Sequence, residues 1–562
     1  MPRRPKNEPV PPDWDSEVNL LAWLATCVSV ISLLFYFRHA EILLYGDAIA
    51  HINIARRVFD SKTPGLLQLG TVWLPLPHLL MIPFLISNRM WQQGIGGSVP
   101  SMVAYVFATI GIFRLTRGTL SRTAVPDGPS RTAAWIAAAI FAANPNLIYM
   151  QTTAMGESLY LAFFIWSIVY FSEWMRGDQK ALIKCGLCLT AACLTRYDGW
   201  FLAVAMAGVA CLRALFASVP VNKHEREGTR ARNKIRSSAV KFVFLVAVAP
   251  TLWLSYNGII YRNPLEFENG PYSAKAIERR SQTSGTPGHP GSGNPVLAGM
   301  YFVKSAEANI ARNEWLQRAW ILVCVAAIGI AVYYARLRRA ANAEPVWWPL
   351  VFLLIPLPFY ALSIAYGGVP IFVPCWWPFT HYNVRYGLQL LPAFAVGFAI
   401  LANLVLRTED LPVRARVALA FGVVVFVAAS YISIWQTPIC LAEAQINMRT
   451  RNQLQVQLSA WLSKLPPDST LLMYVGDHVG AAERAGLPLK RTINEGNHRV
   501  WMQPTDSEGL WERALANPSQ YADYVLAFEG DPVWQAIQDR HLRELVDIHV
   551  TGQPRAILYR AR

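Results

Sequence analysis

Charged residues are scarce in this chain of 562 residues: they make up 15% of it, against 53% hydrophobic residues. A composition this apolar argues against a water-soluble protein. Apolar stretches of about 20 residues recur along the sequence, and stretches of this length are typical of transmembrane helices. The sequence therefore predicts a polytopic membrane protein.

Cysteines are also few, and most of the eight lie inside apolar stretches, so the sequence lacks a disulfide framework. Cys185 and Cys188 have the spacing of a redox or metal pair. No second pair of ligands accompanies them, and thiols that pack in an apolar interior are the better interpretation. Cys375 and Cys440 both fall in segments predicted to face outward, and a disulfide between them is left open.

Acidic residues are outnumbered by Lys and Arg, which gives a formal net charge of +15. A nucleic-acid partner could explain a basic balance, but membrane proteins concentrate Lys and Arg in their cytoplasmic loops. The basic clusters here fall between alternate apolar stretches, at 3–6, 114–131, 223–236, 336–339 and 407–416. We therefore predict a cytoplasmic N-terminus, an outer C-terminal region and no nucleic-acid partner. Because a full-length apolar stretch follows the basic N-terminal residues, no cleavable signal peptide is expected.

About eleven spans account for this alternation of charge. They are predicted at about 17–37, 99–116, 132–150, 157–175, 181–196, 199–216, 238–260, 317–336, 346–366, 387–406 and 413–435. The apolar stretch at 72–86 is short and broken by prolines, so we expect it to enter the membrane without crossing it. These bounds predict a cytoplasmic tail over residues 1–16 and a transmembrane domain over residues 17–436.

The character of the sequence changes after residue 436. A helical stretch at 443–465 precedes three β-type runs, and further helical stretches at about 508–516 and 532–543 separate the runs. The β-type runs are 470–475, 524–528 and 556–559. This pattern predicts a small extracytoplasmic α/β domain over residues 437–562. The predicted fold is thus a polytopic α-helical membrane protein with a small C-terminal α/β domain.

Two acidic residues stand at the outer membrane surface in this topology. Asp47 follows the first span, and a carboxylate at a membrane edge is costly to desolvate, so it calls for a functional reason. Glu157 opens a later span, where the helix dipole favours a carboxylate without any function. Two carboxylates at one surface can also deprotonate a hydroxyl or hold a metal ion. Both interpretations of Glu157 remain open.

Several cations and polar residues share the outer segments, which are predicted at 39–98, 151–157, 261–315 and 367–386. Arg385 stands at an apolar boundary, where a guanidinium suits a bound phosphate or reaches for lipid headgroups. Arg196 either binds an anionic group of the substrate or forms a local ion pair with Asp198. The other candidate substrate-binding residues are His51, His78, Lys275, Arg279, His381 and Tyr382. Residues 281–294 are rich in Gly, Pro and Ser, so we expect a mobile loop that serves either as a lid or as a plain linker.

Four of these segments together resemble the GT-C superfamily of membrane glycosyltransferases, in the branch of protein O-mannosyltransferases and lipid A aminoarabinose transferases. The similarity covers about residues 17–435 and rests on the order and topology of its motifs. The motifs are Tyr45–Ala48, Trp73–Pro77, Thr152–Glu157, and Asn383–Tyr386 with Leu390–Pro392 after it.

The resemblance implies an inverting hexosyltransferase that moves a sugar from a polyprenyl-phosphate donor to a hydroxyl of a protein, lipid or glycan. It implies Asp47 as the general base, Glu157 as a residue that positions substrate or metal, and Arg385 as a contact of the lipid phosphate. One departure is that Ala48, not a second acid, follows Asp47. This leaves the assignment of the base intact but weakens any metal site, and a divalent cation at Asp47 and Glu157 stays open. The Trp-Trp-Asp motif is also missing, because Pro378 follows the two tryptophans, and this argues against an oligosaccharyltransferase.

Two other functions remain as alternatives. A flippase for polyprenyl-linked sugars would need polar residues within its spans, and few are present. A non-catalytic assembly protein would not need Asp47 and Glu157 to face a single cavity. A bacterial inner membrane is the expected location, and an endoplasmic reticulum location stays open.

Overall fold

Apolar helices dominate the first three quarters of the computed structural model, which describes residues 12–121, 128–216, 225–281, 288–340, 348–408, 411–476, 478–497 and 509–562. The first ten helices are α1 (Pro12–Arg38), α2 (Gly46–Arg57), α3 (Leu76–Leu85), α4 (Asn88–Gln92), α5 (Ile95–Leu120), α6 (Gly128–Ala142), α7 (Pro145–Met150), α8 (Glu157–Met175), α9 (Ala181–Cys193) and α10 (Asp198–Leu215). The next eight are α11 (Glu225–Ile260), α12 (Glu266–Asn269), α13 (Ala274–Ser281), α14 (Pro295–Ala308), α15 (Glu314–Ala340), α16 (Pro356–Tyr366), α17 (Leu391–Arg407) and α18 (Val413–Trp435).

Eight helical segments in the described ranges are long and apolar enough to cross a membrane. They are Ser16–Arg38, Ile95–Leu120, Glu157–Met175, Asp198–Leu215, Asn233–Ile260, Trp348–Tyr366, Val384–Arg407 and Val413–Leu462. Each overlaps one predicted span. The spans predicted at 181–196 and 317–336 fall on α9 and α15, and the span predicted at 132–150 is divided between α6 and α7. The predicted class, a polytopic α-helical membrane protein, is confirmed. The short apolar helix α3 occupies the stretch that we expected not to cross.

Helix α5 is at the centre of a packed helical bundle. Helix α5 packs against α1, α6 and α8, and α8 packs in turn against α9. Gly97 of α5 permits a close approach, since a Cβ placed there would lie 2.5 Å from Ile52 of α2 and 2.7 Å from Ala154. The segments that carry Asp47 and Glu157 are therefore held against the same helix.

The C-terminal region forms a small sheet with helices, as predicted. Its helices are α19 (Ile439–Leu462), α20 (Val479–Ala485), α21 (Leu510–Ala516), α22 (Pro518–Tyr521) and α23 (Pro532–Ile537), and its strands are β1 (Leu471–Met473), β2 (Thr492–Ile493), β3 (Tyr524–Phe528), β4 (Arg543–Ile548) and β5 (Ala556–Arg560). The strand order is β2-β1-β3-β5-β4; β1 is parallel to β2 and β3, while β5 is antiparallel to β3 and β4.

The sequence pattern missed two strands of this sheet. Strand β2 has only two residues, and β4 begins with the exposed residues Arg543 and Glu544, so neither forms an apolar run. The helix predicted at 532–543 ends at Ile537 instead, and its predicted last residue starts β4.

The cysteines form no disulfide. All eight are free, with Cys375 exposed and Cys440 buried, where its thiol lies 3.3 Å from Oδ1 of Asn309. The basic N-terminal residues 3–6 and part of the Gly-, Pro- and Ser-rich loop, at 282–287, lie outside the described residues.

Candidate active site

A cavity of about 1680 Å³ lies where the ends of the apolar helices next to Asp47 and Glu157 meet the C-terminal domain. Helices α2, α13 and α16 contribute to its wall, together with the turns at Gly156–Glu157 and Arg196–Asp198. Residues 474–476 and 495–496, which follow strands β1 and β2, contribute from the C-terminal domain. Ligands of α/β sheets commonly bind beyond the carboxyl ends of parallel strands, so both parts of the protein are placed to contribute.

One face of helix α2 lines this cavity. Asp47, Ala50, His51, Ile54 and Arg57 follow the spacing i, i+3, i+4, i+7 and i+10, and all reach the cavity. This spacing places them on one side of an α-helix. The opposite face carries Ala48, Ile52 and Ala55, which are buried in the core. Helix α2 begins at Gly46, so that Asp47 falls in its first turn.

Arg385 joins three carboxylates at the base of the cavity. Its Nη2 lies 2.7 Å from Oδ2 of Asp47, its Nε 3.1 Å from Oε1 of Glu157, and its Nη1 2.8 Å from Oε1 of Glu443. The rings of Tyr45 and Tyr386 lie about 5 Å from the guanidinium carbon. A guanidinium has five N–H donors, so these three bonds leave two of them for a ligand.

Glu443 is a member of this cluster that the sequence did not single out. It is almost fully buried, and besides Arg385 its two oxygens accept the backbone N–H groups of Asn383 (3.0 Å) and Val384 (2.8 Å). The carboxylate therefore fixes both the side chain of Arg385 and the backbone on its N-terminal side. An acidic residue inside the apolar run Ile439–Ala444 was the available signal, because such a residue is rarely buried without a partner.

Glu157 lies in the first turn of α8, as predicted, and is almost fully buried. Its Oε1 is shared by Arg385 and by Nη1 of Arg196, the latter at 3.3 Å. Its buried Oε2 has no hydrogen-bond partner among the described residues, although Glu157 reaches the cavity. A buried carboxylate oxygen without a donor is unfavourable, so it suits a donor or a cation supplied by a ligand.

Arg196 and Asp198 form the local ion pair that was one of their two predicted roles. Nε of Arg196 lies 3.2 Å from Oδ1 of Asp198, and its Nη2 donates to the hydroxyl of Tyr360 at 2.8 Å. Both residues also line the cavity, so an anion-binding role for Arg196 stays a prediction. Tyr360, which sequence reasoning missed, joins this pair to Gln389 through a bond of 2.8 Å.

Asp47 is the accessible carboxylate of the cluster. Its side chain is 41% exposed, whereas those of Glu157 and Glu443 are 1% exposed. Arg385 binds its Oδ2, and in the described part of the chain its Oδ1 makes no hydrogen bond. Asp47 therefore combines a fixed orientation with one oxygen that faces the cavity.

His51 is the polar neighbour of Asp47 on the same helix face. Its Nδ1 lies 2.8 Å from Nε2 of His78, and its ring lies 4.7 Å from that of Trp73. Burial lowers the pKa of His51 to about 4, so the imidazole is neutral at ordinary pH. A neutral ring offers hydrogen bonding to a substrate but no positive charge.

The structure does not bring every predicted residue to the cavity. Lys275 and Tyr382 line it, and Lys275 forms an ion pair with Glu268. Three predicted residues do not line the cavity: His78, Arg279 and His381. His78 is fully buried behind His51, and Arg279 is exposed on α13. The sequence indicated which segments lie near the cavity, but it did not show in which direction each side chain points.

The cluster around Arg385 and Arg196 carries an excess of negative charge. Four carboxylates, those of Asp47, Glu157, Asp198 and Glu443, surround two guanidinium groups, which leaves two formal negative charges. Among the described residues, no group of three or more His, Cys, Asp or Glu side chains has the arrangement of a metal site.

Comparisons with known proteins agree with this architecture. The family model for dolichyl-phosphate-mannose-protein mannosyltransferase matches residues 94–259. The crystal structure of ArnT from Cupriavidus metallidurans bound to undecaprenyl phosphate is similar to the chain with a TM-score of 0.53 and 13% identity, over 97% of this chain and 98% of ArnT. The apo form of ArnT gives a TM-score of 0.51 and 12% identity, over 98% of each chain.

A more distant similarity is to the oligosaccharyltransferase of Archaeoglobus fulgidus tethered to an acceptor peptide. Its TM-score is 0.45 at 13% identity, over 96% of this chain and 73% of the archaeal one. Among curated proteins, no sequence matches the chain.

The matched segment includes α5 to α10, which carry Glu157 and Arg196, and the similarity to ArnT extends over nearly the whole chain. These findings show a membrane-embedded fold shared with ArnT and a segment similar to the mannosyltransferase family. The chain is an integral membrane protein with the GT-C fold, and it resembles the mannosyltransferase and ArnT-like branch of that superfamily.

Proposed function

We propose that the protein is an inverting glycosyltransferase that moves a sugar from a polyprenyl phosphate to a hydroxyl acceptor at the outer face of the membrane. One observation carries the proposal: Asp47 presents a free carboxylate oxygen to a large cavity while Arg385 fixes its other oxygen. A general base must be accessible to the proton that it removes and held in a defined orientation. Asp47 meets both conditions.

In the proposed reaction, Oδ1 of Asp47 takes the proton of the acceptor hydroxyl as the hydroxyl oxygen attacks the anomeric carbon. The bond between that carbon and the donor phosphate breaks, its electron pair leaves with the polyprenyl phosphate, and the anomeric centre inverts. The two N–H groups of Arg385 that bind no carboxylate are suited to the departing phosphate. Phosphate is already a good leaving group, so positioning and charge stabilisation supply most of the acceleration.

The negative excess of the cluster suits this reaction. Glycosyl transfer passes through a transition state with positive charge on the sugar ring. The carboxylates of Asp47 and Glu157 lie beside the same guanidinium, so both are close to the position where this charge develops. Glu157 thereby acts in the proposal as a residue that positions and stabilises the sugar.

A divalent cation is a further element of the proposal. Within the cluster around Arg385, Oδ1 of Asp47 and Oε2 of Glu157 are the carboxylate oxygens without partners among the described residues. Mg²⁺ is commonly bound by one or two carboxylates together with substrate phosphates, so these residues fit such an ion. A bound cation would neutralise the donor phosphate. If a divalent cation takes part, chelation by EDTA abolishes transfer, and added Mg²⁺ or Mn²⁺ restores transfer. Unchanged transfer in EDTA would contradict a role for the cation.

The proposed substrates follow from the membrane position of the site. The similar protein ArnT was crystallised with undecaprenyl phosphate, which supports a polyprenyl-phosphate donor. The positive-inside pattern supports a cytoplasmic N-terminus, and hence a C-terminal domain on the outer side, which in a bacterial inner membrane is the periplasm. The acceptor hydroxyl belongs to a protein, a lipid or a glycan.

The test uses the purified protein in lipid vesicles, with radiolabelled polyprenyl-phosphate sugars and crude acceptor membranes. We expect label to move from the donor lipid to an acceptor, with release of polyprenyl phosphate in equal amount. If instead the intact donor lipid crosses the bilayer and no label is transferred, the protein is a flippase and the proposal fails. Binding of membrane proteins without transfer or translocation would point to an assembly role.

A further inference from the structure

Arg57 stands at the far end of the α2 face that begins with Asp47. Arg57 lines the cavity, and its buried Nε has no hydrogen-bond partner. Within the described part of the chain its guanidinium makes no hydrogen bond and no ion pair, in contrast to the adjacent Arg56, which binds Asp60 and Asn88. An arginine without a counter-charge in a cavity wall is a ready site for an anion.

The residues next to Arg57 come from both parts of the protein. A Cβ placed on Gly496 of the C-terminal domain would lie 3.4 Å from Nη1 of Arg57 and 2.7 Å from Oε1 of Gln68. That oxygen of Gln68 is buried and has no partner among the described residues. A donor and an acceptor, both unused, therefore converge at Gly496. Glu495 is nearby, and its Oε2 accepts the backbone N–H of Val475.

The distance from Asp47 decides which substrate this site can serve. Arg57 is ten residues along the same uninterrupted helix, which is about 15 Å at a rise of 1.5 Å per residue. In a direct displacement the attacking hydroxyl comes to about 3–3.5 Å from the anomeric carbon, so the departing phosphate stays close to the base. The departing phosphate therefore belongs beside Arg385, which bonds Asp47 directly, and Arg57 is left for a group farther from the reacting centre.

We propose that Arg57 and Gln68 bind an anionic group, a phosphate or a carboxylate, on the acceptor, about 15 Å from its reacting hydroxyl. The proposal rests on the proposed function, because the acceptor is defined by that reaction. The guanidinium pairs with two oxygens of the anion, and Oε1 of Gln68 accepts a hydroxyl proton of the same molecule. The acceptor would thus be recognised at the junction between α2 and the loop after β2.

Binding is tested without any transfer reaction. The probe is inorganic phosphate, added to the full-length protein in a non-ionic detergent and followed by ³¹P NMR line broadening. We expect wild type to bind phosphate, Arg57→Lys to retain weakened binding, and Arg57→Gln to lose it at least tenfold. Gly496→Ala, which places a methyl group between the two side chains, should also weaken binding while leaving the charge in place. Arg89→Gln removes an exposed arginine outside the cavity and serves as the charge-matched control.

Equal phosphate binding by wild type and Arg57→Gln would overturn the proposal. A second arm adds micelles of phosphatidylglycerol. If they displace inorganic phosphate from the wild type and transfer occurs to the neutral fraction alone, Arg57 binds bulk lipid headgroups and the assignment to the acceptor is wrong; if phosphate stays bound, headgroup binding is excluded and the assignment is supported.

Transfer then tests the link to the acceptor. Acceptor membranes are extracted and separated on an anion exchanger, and we expect the labelled product to form in the retained, anionic fraction. With that fraction, Arg57→Gln should raise KM about tenfold and leave kcat close to wild type. If wild type transfers to the neutral fraction alone, the proposal fails while the proposed function stands. If wild type transfers to neither, the proposed function fails, and the phosphate measurement still decides whether Arg57 is an anion site.

Discussion

The candidate catalytic cluster is built from residues that are far apart in the sequence. Asp47, Glu157, Arg385 and Glu443 come from four segments and meet at one guanidinium. Three of them could be named from the sequence, because a charged residue at the edge of an apolar stretch is conspicuous. Glu443 was missed: the apolar run around it is a signal, but its burial depends on contacts with Asn383 and Val384 across the fold.

Replacement of Glu443 tests its role at the residue scale. Glu443→Gln keeps the size of the side chain but removes the charge that pairs with Arg385. It also places an amide NH₂ group, which can only donate, beside N–H groups that now donate to the carboxylate. Breaking a buried ion pair typically costs about 3–5 kcal/mol. We expect the midpoint of thermal unfolding to fall and the transfer rate to drop with it. Because Arg385 would keep only Asp47 and Glu157, transfer should fall further than stability alone explains at a temperature where the variant is folded.

The matched control for this change is Glu544→Gln, which alters an exposed residue of β4. It should leave both unfolding and transfer unchanged. Wild-type transfer and stability in Glu443→Gln would contradict the role assigned to Glu443.

At the scale of elements, helices and strands with a regular hydrophobic pattern could be predicted, whereas two strands without such a pattern could not. The long apolar helices and strands β3 and β5 follow from hydrophobic patterns, whereas β2 and β4 have no such pattern. Helix α2 shows what a pattern leaves out: its amphipathic spacing predicts a helix, but the direction of each face depends on what packs against it. Its buried face lies against α5, and this packing turns Asp47 and Arg57 to the cavity.

Gly97 is the contact through which this packing can be tested. A methyl group at this position would overlap Ile52 and the Cβ of Ala154, so Gly97→Ala should push α2 away from α5. Overpacking of this kind costs about 1–3 kcal/mol. We expect a lower unfolding midpoint and a drop in transfer, because Asp47 and the turn before Glu157 are displaced together. Gly208→Ala in α10, where a Cβ meets nothing within 4 Å, is the control that should change neither quantity. Unaltered transfer in Gly97→Ala would argue against α2 as the element that sets the position of Asp47.

At the scale of the whole molecule, the C-terminal domain is bonded to the segment that carries the candidate base. Asp60 accepts the backbone N–H groups of Leu489 and Lys490, and Gln68 donates to the carbonyl of Gly496. Asn53 of α2 donates to Glu483 of α20 at 2.5 Å. These contacts join residues more than 400 positions apart, so no local pattern could predict them. The sequence predicted the two parts of the protein but not the cavity between them.

Glu483 makes this junction sensitive to pH. Burial raises the pKa of its carboxyl from 4.5 to about 8, although the bond from Asn53 opposes the shift. The folded protein therefore holds a proton that the unfolded chain releases, and stability falls as pH rises from about 4.5 to about 8. We expect the unfolding midpoint of the wild type to decrease over this range. Glu483→Gln cannot ionise and should show a weaker decrease, with a higher midpoint than wild type at pH 9. Parallel pH profiles for the two proteins would contradict this account.

The central claim is that Asp47 is the base of a glycosyl transfer, and a comparison of wild type with Asp47→Asn tests it most directly. Both proteins are reconstituted in lipid and given the same labelled polyprenyl-phosphate sugar and acceptor membranes, and their unfolding midpoints are matched first. Asparagine can still bind Arg385 but cannot take a proton, so we expect the transfer rate to fall at least 10²-fold. Equal rates of transfer by the two proteins would contradict the claim.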